Sequence, residues 1–342
     1  MLRQVFQYDP VIGYRFIPGL KARIPHEGGG YLIRVNDAGF RCKHEFRASR
    51  TPGYRRILLF GDSLTAGDGV SNEYRFGDLL EKAIPDLEIY NLGLSGTGTD
   101  QQFLAYKEYS MSIDHDVLII ALFVSNIRRV AAHARYYYDE NGKVVCYEKP
   151  YYELVNGDLL LKNVPPRKEP IIESALSKEE RNFIDRGHPV PGMIRKLISV
   201  TRQSSILYNI FIASGIKDLA QKTLHYQIVP EYDDPNNPAW LLMRAILKEW
   251  IINHKQPVLL IPIPFYHHVM GICDAKPYQS RMHEVASDAG GILYDPLRDF
   301  IKYPRKERSS FYFETDSHLT PKGHGAIATP LTPVIEKLLE RA

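Results

Sequence analysis

The chain has 342 residues, 44% hydrophobic and 24% charged, the composition of an ordinary soluble globular protein with one large domain carrying insertions, or two smaller ones. Its 43 basic and 40 acidic residues leave a net charge of +3, and no Lys/Arg block forms a phosphate-binding stripe, which argues against a nucleic-acid partner. The N-terminus lacks a signal-peptide core, the longest apolar run (Val117 to Val124) is too short to span a bilayer, and the three widely spaced cysteines, Cys42, Cys146 and Cys273, suggest neither a disulfide framework nor a zinc site, so the expectation is a cytoplasmic protein without a membrane span, metal or cofactor.

Residues 1–53 contain Gly28-Gly29-Gly30 and the alternating stretch Tyr31 to Val35, which predict a small strand-bearing extension. From Arg55 the pattern changes. Arg56 to Phe60, closed by Gly61, suits a buried parallel strand. A helix over Phe76 to Ala83, a strand over Leu87 to Asn91, a helix over Asp100 to Ser112 and an apolar strand over Val117 to Val124 follow. This alternation predicts a doubly wound sheet.

The alternation stops at Arg128, and residues 128–235 read as an insertion or cap after the third strand. Arg135 to Glu148 and Tyr151 to Lys162 predict hairpins turning at Asn141-Gly142 and Asn156-Gly157. Ile171 to Arg186 and Met193 to Leu224 are helical by pattern. Six tyrosines fall between Tyr136 and Tyr152; they suit either a substrate-contacting cap or ordinary packing. The α/β pattern resumes with a helix from Ala239 to about His254, a strand over Pro257 to Ile263, a helix near Arg281 to Ala289, a strand over Gly291 to Tyr294 and a last helix over Lys322 to Arg341. The main domain is thus 54–127 with 236–342.

Four segments carry candidate chemistry. Ser63, in Gly61-Asp62-Ser63-Leu64, follows the first strand, at the sheet edge where open α/β folds bind ligands; a serine there also suits a helix N-cap. Gly93, Gly96 and Gly98 follow the second strand. Their G-x-x-G-x-G spacing, and their place after the second strand rather than the first, fit a dinucleotide loop poorly and an oxyanion donor better. Asn126 ends the third strand, where its side-chain amide can serve an oxyanion or be a plain loop residue. His318 precedes the last helix, in a chain of twelve histidines, and His324 suits packing at the start of that helix.

In this order the four segments resemble the blocks of the SGNH (GDSL) hydrolase superfamily, whose Ser, Gly, Asn and His match Ser63, Gly96, Asn126 and His318. The resemblance covers about 55–126 and 239–341 in patches. Upstream, Asn36-Asp37-Ala38-Gly39-Phe40-Arg41 resembles part of the N-terminal extension of a bacterial subgroup. The resemblance implies a flavodoxin-like three-layer α/β sandwich with a mostly parallel five-stranded sheet and a large insertion after the third strand. Two positions depart from the family pattern. Ile127 stands where relatives often have aspartate, and Thr315 stands three before the histidine, where many place the triad acid. Asp316, two before, is the expected acid, with Glu314 and Asp295 as alternatives.

The resemblance further implies a serine esterase. His318 takes the Ser63 proton, Asp316 orients the imidazole, and the Ser63 and Gly96 backbone N–H groups with the Asn126 amide receive the oxyanion. Asp62 braces the turn. The absence of G-x-S-x-G and H-E-x-x-H disfavours an ordinary α/β-hydrolase and a metal hydrolase. The expected substrate is a small-molecule or glycan ester, an O-acyl sugar or other polar metabolite. An acyltransferase using the same site and a catalytically silent glycan-binding or scaffold protein are the alternatives.

Overall fold

The computed structural model describes residues 5–138, 144–171, 221–223 and 226–341. The turn at Asn141-Gly142 and nearly all of the two helices expected over Ile171 to Arg186 and Met193 to Leu224 lie outside the described residues.

The chain opens with two antiparallel hairpins, β1 (Phe6–Asp9) with β2 (Gly13–Phe16) and β3 (Lys21–Ile24) with β4 (Tyr31–Arg34). Only the last of these strands was expected from the sequence. The others are four-residue segments with charged or glycine positions, too short to set up an alternation.

The main sheet comprises β5 (Arg55–Gly61), β6 (Leu87–Asn91), β7 (Val117–Phe123), β12 (Val258–Ile263) and β13 (Ile292–Leu293). All its pairings are parallel, in the order β6-β5-β7-β12-β13. In chain order this is 2-1-3-4-5, the flavodoxin-like doubly wound arrangement. β7 lies at its centre and is buried from Val117 to Leu122, as a near-continuous apolar run requires when both faces are covered.

Helices complete the layers: α1 (Ser63–Ala66), α2 (Phe76–Ala83), α3 (Thr99–Tyr109), α4 (Asn126–Ala131), α5 (Pro238–Ile252), α6 (Lys276–Ala289) and α7 (Pro321–Leu339). α2 packs on α7, whereas α3, α4 and α6 gather around α5. Local signals set their starts: Asn237 and Thr320 cap α5 and α7 with their side chains, each followed by proline at the first helical position. Phe60, Phe103, Tyr106 and Trp250 form an aromatic cluster between sheet and helices. Trp250 is 1% exposed, so truncating it to alanine costs about 3–5 kcal/mol.

Between α4 and α5 stand β8 (Ala134–Tyr138) with β9 (Val144–Glu148), and β10 (Tyr151–Val155) with β11 (Asp158–Lys162). Asn156 and Gly157 both take positive φ at the second turn, as a two-residue primed hairpin requires. This hairpin packs on α3 and α5, with Tyr152 buried against Phe103. Tyr152 is therefore a packing residue. Lys149, just before β10, is buried in an ion pair with Asp100 at the start of α3, which anchors the segment to the main domain.

Candidate active site

In a 2-1-3-4-5 sheet the chain reverses direction between the first and third strands, and the crevice outside their carboxyl ends is the expected ligand site. Here those strands are β5 and β7, which are paired side by side. Ser63 follows the first and Asn126 the other.

The turn after β5 is shaped by Gly61. A Cβ there would stand 2.1 Å from Thr65 Oγ1 and 2.3 Å from the Ala121 carbonyl oxygen, so a larger residue would force the turn off the sheet. Asp62 then caps α1: its Oδ1 accepts the Leu64 N–H at 3.0 Å and its Oδ2 accepts the Phe123 N–H at 3.2 Å. Arg129 Nη1 lies 3.3 Å from the same Oδ2. Asp62 is fully buried, and these three contacts make it a brace between β5, β7 and α4.

Ser63 Oγ lies 2.9 Å from His318 Nε2. His318 sits on a tight loop closed by a Phe313 N–H to His318 O bond of 2.8 Å, with Ser317 at φ 60°. Two residues earlier, Asp316 accepts the His318 backbone N–H on Oδ1 at 3.0 Å, and its Oδ2 stands 3.1 Å from His318 Nδ1. That second approach is within ion-pair reach but off the line of a hydrogen bond, so Nδ1 has no aligned partner among the described residues.

Burial acts to lower the His318 pKa. The Asp316 carboxylate beside the ring, with the charges of Asp68 and Asp62, outweighs it, and the imidazole is held above its ordinary value. For Asp316, burial acts upward, but hydrogen bonding and charge from His318, with a further hydrogen bond from His26, hold the carboxyl well below the usual carboxylate range.

Three candidate donors come from the segments that follow β5, β6 and β7. The Ser63 N–H lies in the first turn of α1, where no intrahelical acceptor exists. Gly96, at φ 78°, follows Ser95, whose hydroxyl donates to Asp68 Oδ1 at 2.7 Å and whose carbonyl accepts the Tyr14 hydroxyl at 2.6 Å. Asn126 is fully buried, and its Nδ2 has no partner among the described residues. Its Oδ1 accepts from Arg129 Nη1 at 3.2 Å, which orients the amide and links it to Asp62. A buried amide left without a partner costs about 1–3 kcal/mol, a cost that functional sites carry when the donor serves a transition state.

The other candidates fall elsewhere. Asp295 accepts from Gln279 Nε2 at 2.6 Å, the Leu297 N–H at 2.9 Å and the Tyr278 hydroxyl at 3.2 Å. Burial raises its pKa against those bonds, and it ties α6 to the end of β13. Thr315 bonds Glu27 through both its N–H and its hydroxyl. His324 is fully buried, accepts the Phe76 N–H on Nδ1 at 3.2 Å and stacks on the Phe76 ring. Ile127 is core.

Three contributors carried no isolated signal in the sequence. Arg129 is one. Arg41, in the Asn36–Arg41 segment, is fully buried and donates to the Gly67 and Val70 carbonyls at 2.8 Å each, clamping the loop that follows Ser63. The third is His26, whose Nε2 lies 2.6 Å from Asp316 Oδ2; 290 residues separate the two, and no local motif marks the histidine. Beyond Tyr14, a cavity of about 280 Å³ is lined by Phe6, Tyr8, Tyr14, Tyr147, Lys149 and Lys168, among others.

No family model and no curated protein matches the chain. Among solved structures it is similar to a lipolytic protein of the G-D-S-L family from Veillonella parvula, at 10% identity and a TM-score of 0.40, over 83% of this chain and 99% of that one. It is similar to a lipase/acylhydrolase from Enterococcus faecalis, at 13% identity and a TM-score of 0.39, over 83% and 96%. It is also similar to a two-domain esterase active on acetylated mannans, at 13% identity and a TM-score of 0.39, over 84% of this chain and 50% of that one.

Proposed function

We propose that this protein is a serine esterase of the SGNH type, cleaving an O-acyl ester through an acyl-enzyme on Ser63. The observation that carries the reading is the 2.9 Å contact between Ser63 Oγ and His318 Nε2 at the switch point of a doubly wound sheet, with Ser63, Gly96 and Asn126 following its strands β5, β6 and β7.

His318, in its neutral form, accepts the Ser63 proton on Nε2 as the hydroxyl oxygen attacks the ester carbonyl. The resulting imidazolium is stabilised by Asp316, which stays ionised. The developing oxyanion takes hydrogen bonds from the Ser63 and Gly96 N–H groups and from Asn126 Nδ2, each worth roughly 3 kcal/mol in the transition state. His318 then gives its proton to the leaving alkoxide. A water molecule, deprotonated by the same nitrogen, releases the acid and restores Ser63. On this reading residues 1–53 are an extension, 54–127 with 236–342 the catalytic domain, and 128–235 an insertion.

The cavity beside Tyr14 supports a ring-bearing, polar alcohol portion. Its aromatic walls suit stacking on a sugar face, and Tyr14 joins it to the Ser95–Gly96 loop through the 2.6 Å hydrogen bond to the Ser95 carbonyl. An O-acylated sugar or similar polar metabolite is the substrate class proposed.

The test is hydrolysis of p-nitrophenyl esters of increasing chain length and of acetylated sugars by wild type and Ser63→Ala. Turnover should be lost in the variant. Turnover that survives Ser63→Ala would refute the proposal, and product analysis with an added alcohol acceptor separates hydrolysis from transfer.

A further inference from the structure

The triad acid proposed above is not held by its own loop alone. Its Oδ2 faces two imidazoles: His318 Nδ1 at 3.1 Å and His26 Nε2 at 2.6 Å. His26 comes from the N-terminal extension, on the Gly-rich turn between β3 and β4. Its Nδ1 lies 3.3 Å from the Gly28 N–H and accepts from it. That bond places the hydrogen on Nε2, which donates to Asp316.

The ring has little freedom to leave this position. Its side chain is only 11% exposed. Phe313 packs edge-on at 4.4 Å and Tyr31 at 5.8 Å, measured between ring centres. Gly69, on the loop after the nucleophile, makes room for both rings. A Cβ there would stand 2.7 Å from Phe313 and 3.2 Å from His26. A second tie runs beside the first, from the Thr315 N–H and hydroxyl to Glu27 at 3.0 and 2.7 Å. The extension thus fastens the Phe313–His318 loop at two consecutive residues, one of them the acid.

The loop has reason to need fastening. Asp316 is a third exposed, and Ser317 takes a left-handed backbone that a non-glycine residue adopts at a cost. A carboxylate held only by the backbone N–H of His318 can swing its second oxygen into water. A donor on that oxygen, from a ring that is itself packed, fixes the carboxylate plane facing His318.

We propose that His26 is a positioning residue for this esterase, holding Asp316 by a hydrogen bond from its Nε2 so that the carboxylate orients His318. The extension is on this view part of the catalytic apparatus, not a packing appendage. The proposal rests on the esterase reading of Ser63 and His318.

Three variants test it: His26→Ala, His26→Leu, which keeps apolar bulk without a donor, and His26→Gln, whose amide nitrogen reaches about as far as Nε2. The alanine and leucine variants should lose about tenfold in kcat, equivalent to about 1.4 kcal/mol, with KM and melting temperature little changed. His26→Gln should recover most of that loss. Wild-type or faster turnover in His26→Leu would overturn the proposal, because His26 would then be idle or competing with His318 for Oδ2. A His26→Gln variant as slow as His26→Leu would overturn it too, since ring packing and not the donor would matter. So would loss of wild-type activity to EDTA. His26, Glu27 and Asp316 offer ligand atoms within 4.8 Å of one another, and they would then be metal ligands. Fluorophosphonate labelling separates failure of the two claims. A wild type unlabelled at Ser63 refutes the esterase reading and this proposal with it. A labelled wild type whose His26 variants label at the same rate refutes the positioning role alone.

Discussion

Replacing Asp316 with asparagine changes two things that can be worked out from the site. The carboxylate accepts the His318 N–H on one oxygen and faces His318 Nδ1 and His26 Nε2 with the other. An asparagine has one acceptor. If its oxygen keeps the backbone bond, its NH2 faces Nδ1 and drives His318 to the tautomer with hydrogen on Nε2, which cannot accept the Ser63 proton. If the amide turns over, the NH2 meets the backbone N–H of His318, and the loop opens. The charge is lost in either case. A unit charge about 4 Å from the imidazolium, at an effective dielectric near 20, is worth about 4 kcal/mol, or roughly 10³ in rate.

The expected fall in kcat is therefore about 10³–10⁴-fold, measured on an aryl ester with circular dichroism and a thermal melt to show that the fold is kept. The pH profile should change with it. Asp316 is the chief group raising the His318 pKa, so the acid limb of any residual kcat/KM should move to lower pH. Asp295→Asn and Glu314→Gln serve as controls. Asp295 binds Tyr278, Gln279 and the Leu297 N–H, so its variant should lower the melting temperature and spare kcat. Near wild-type turnover in Asp316→Asn, with loss in either control, would refute the assignment of the acid.

Asn126→Ala should lower kcat about 10²–10³-fold in a folded protein, since its Nδ2 has no described partner in the resting site; unchanged turnover would make it structural. On the proposed mechanism the wild type needs neutral His318, whose pKa is raised. The acid limb of kcat/KM should thus have its midpoint above the ordinary imidazole value of about 6.5, and a midpoint below it would contradict the electrostatics described. Stability should depend on pH for a different reason. Burial, with the nearby charges of Arg75 and Arg41, lowers His324 to about 3, and burial with the neighbouring His115 lowers His254 to about 4. The unfolded chain binds these protons first, so the stability present above about pH 6.5 falls as pH drops towards the folded values, by about 2 kcal/mol for His324 at pH 5. Equal denaturant midpoints at pH 7 and pH 5 would contradict this.

The main sheet was legible because its strands announce themselves. The apolar residues of β7 run unbroken, and helices of ordinary length separate β5, β6 and β7, so period and spacing agree. The turn at Asn156-Gly157 was legible from its dipeptide. The strands β1, β2 and β3 were not, because four residues of mixed polarity set no period. Ser63, Gly96, Asn126 and His318 each carried only a weak local signal, and it was their order along the chain that singled them out. Asp316 was the expected acid from its spacing to His318, but the sequence left Asp295 open as an alternative. Both lie near strand or loop ends, and only the folded chain shows Asp295 bonded to Tyr278 and Gln279. Arg129 was hidden for a similar reason. Its value lies in touching Asp62 and Asn126 at once, and a surface arginine on a short helix has the same sequence appearance. His26 was hidden by distance along the chain.

The central claim is that Ser63 is a nucleophile activated by His318, and covalent labelling tests it most directly. A fluorophosphonate probe should add one adduct to the wild type, mapped by peptide mass to Ser63. The adduct should be absent from Ser63→Ala and form far more slowly in His318→Ala. Labelling that persists in Ser63→Ala, or proceeds at the wild-type rate without His318, would contradict the account.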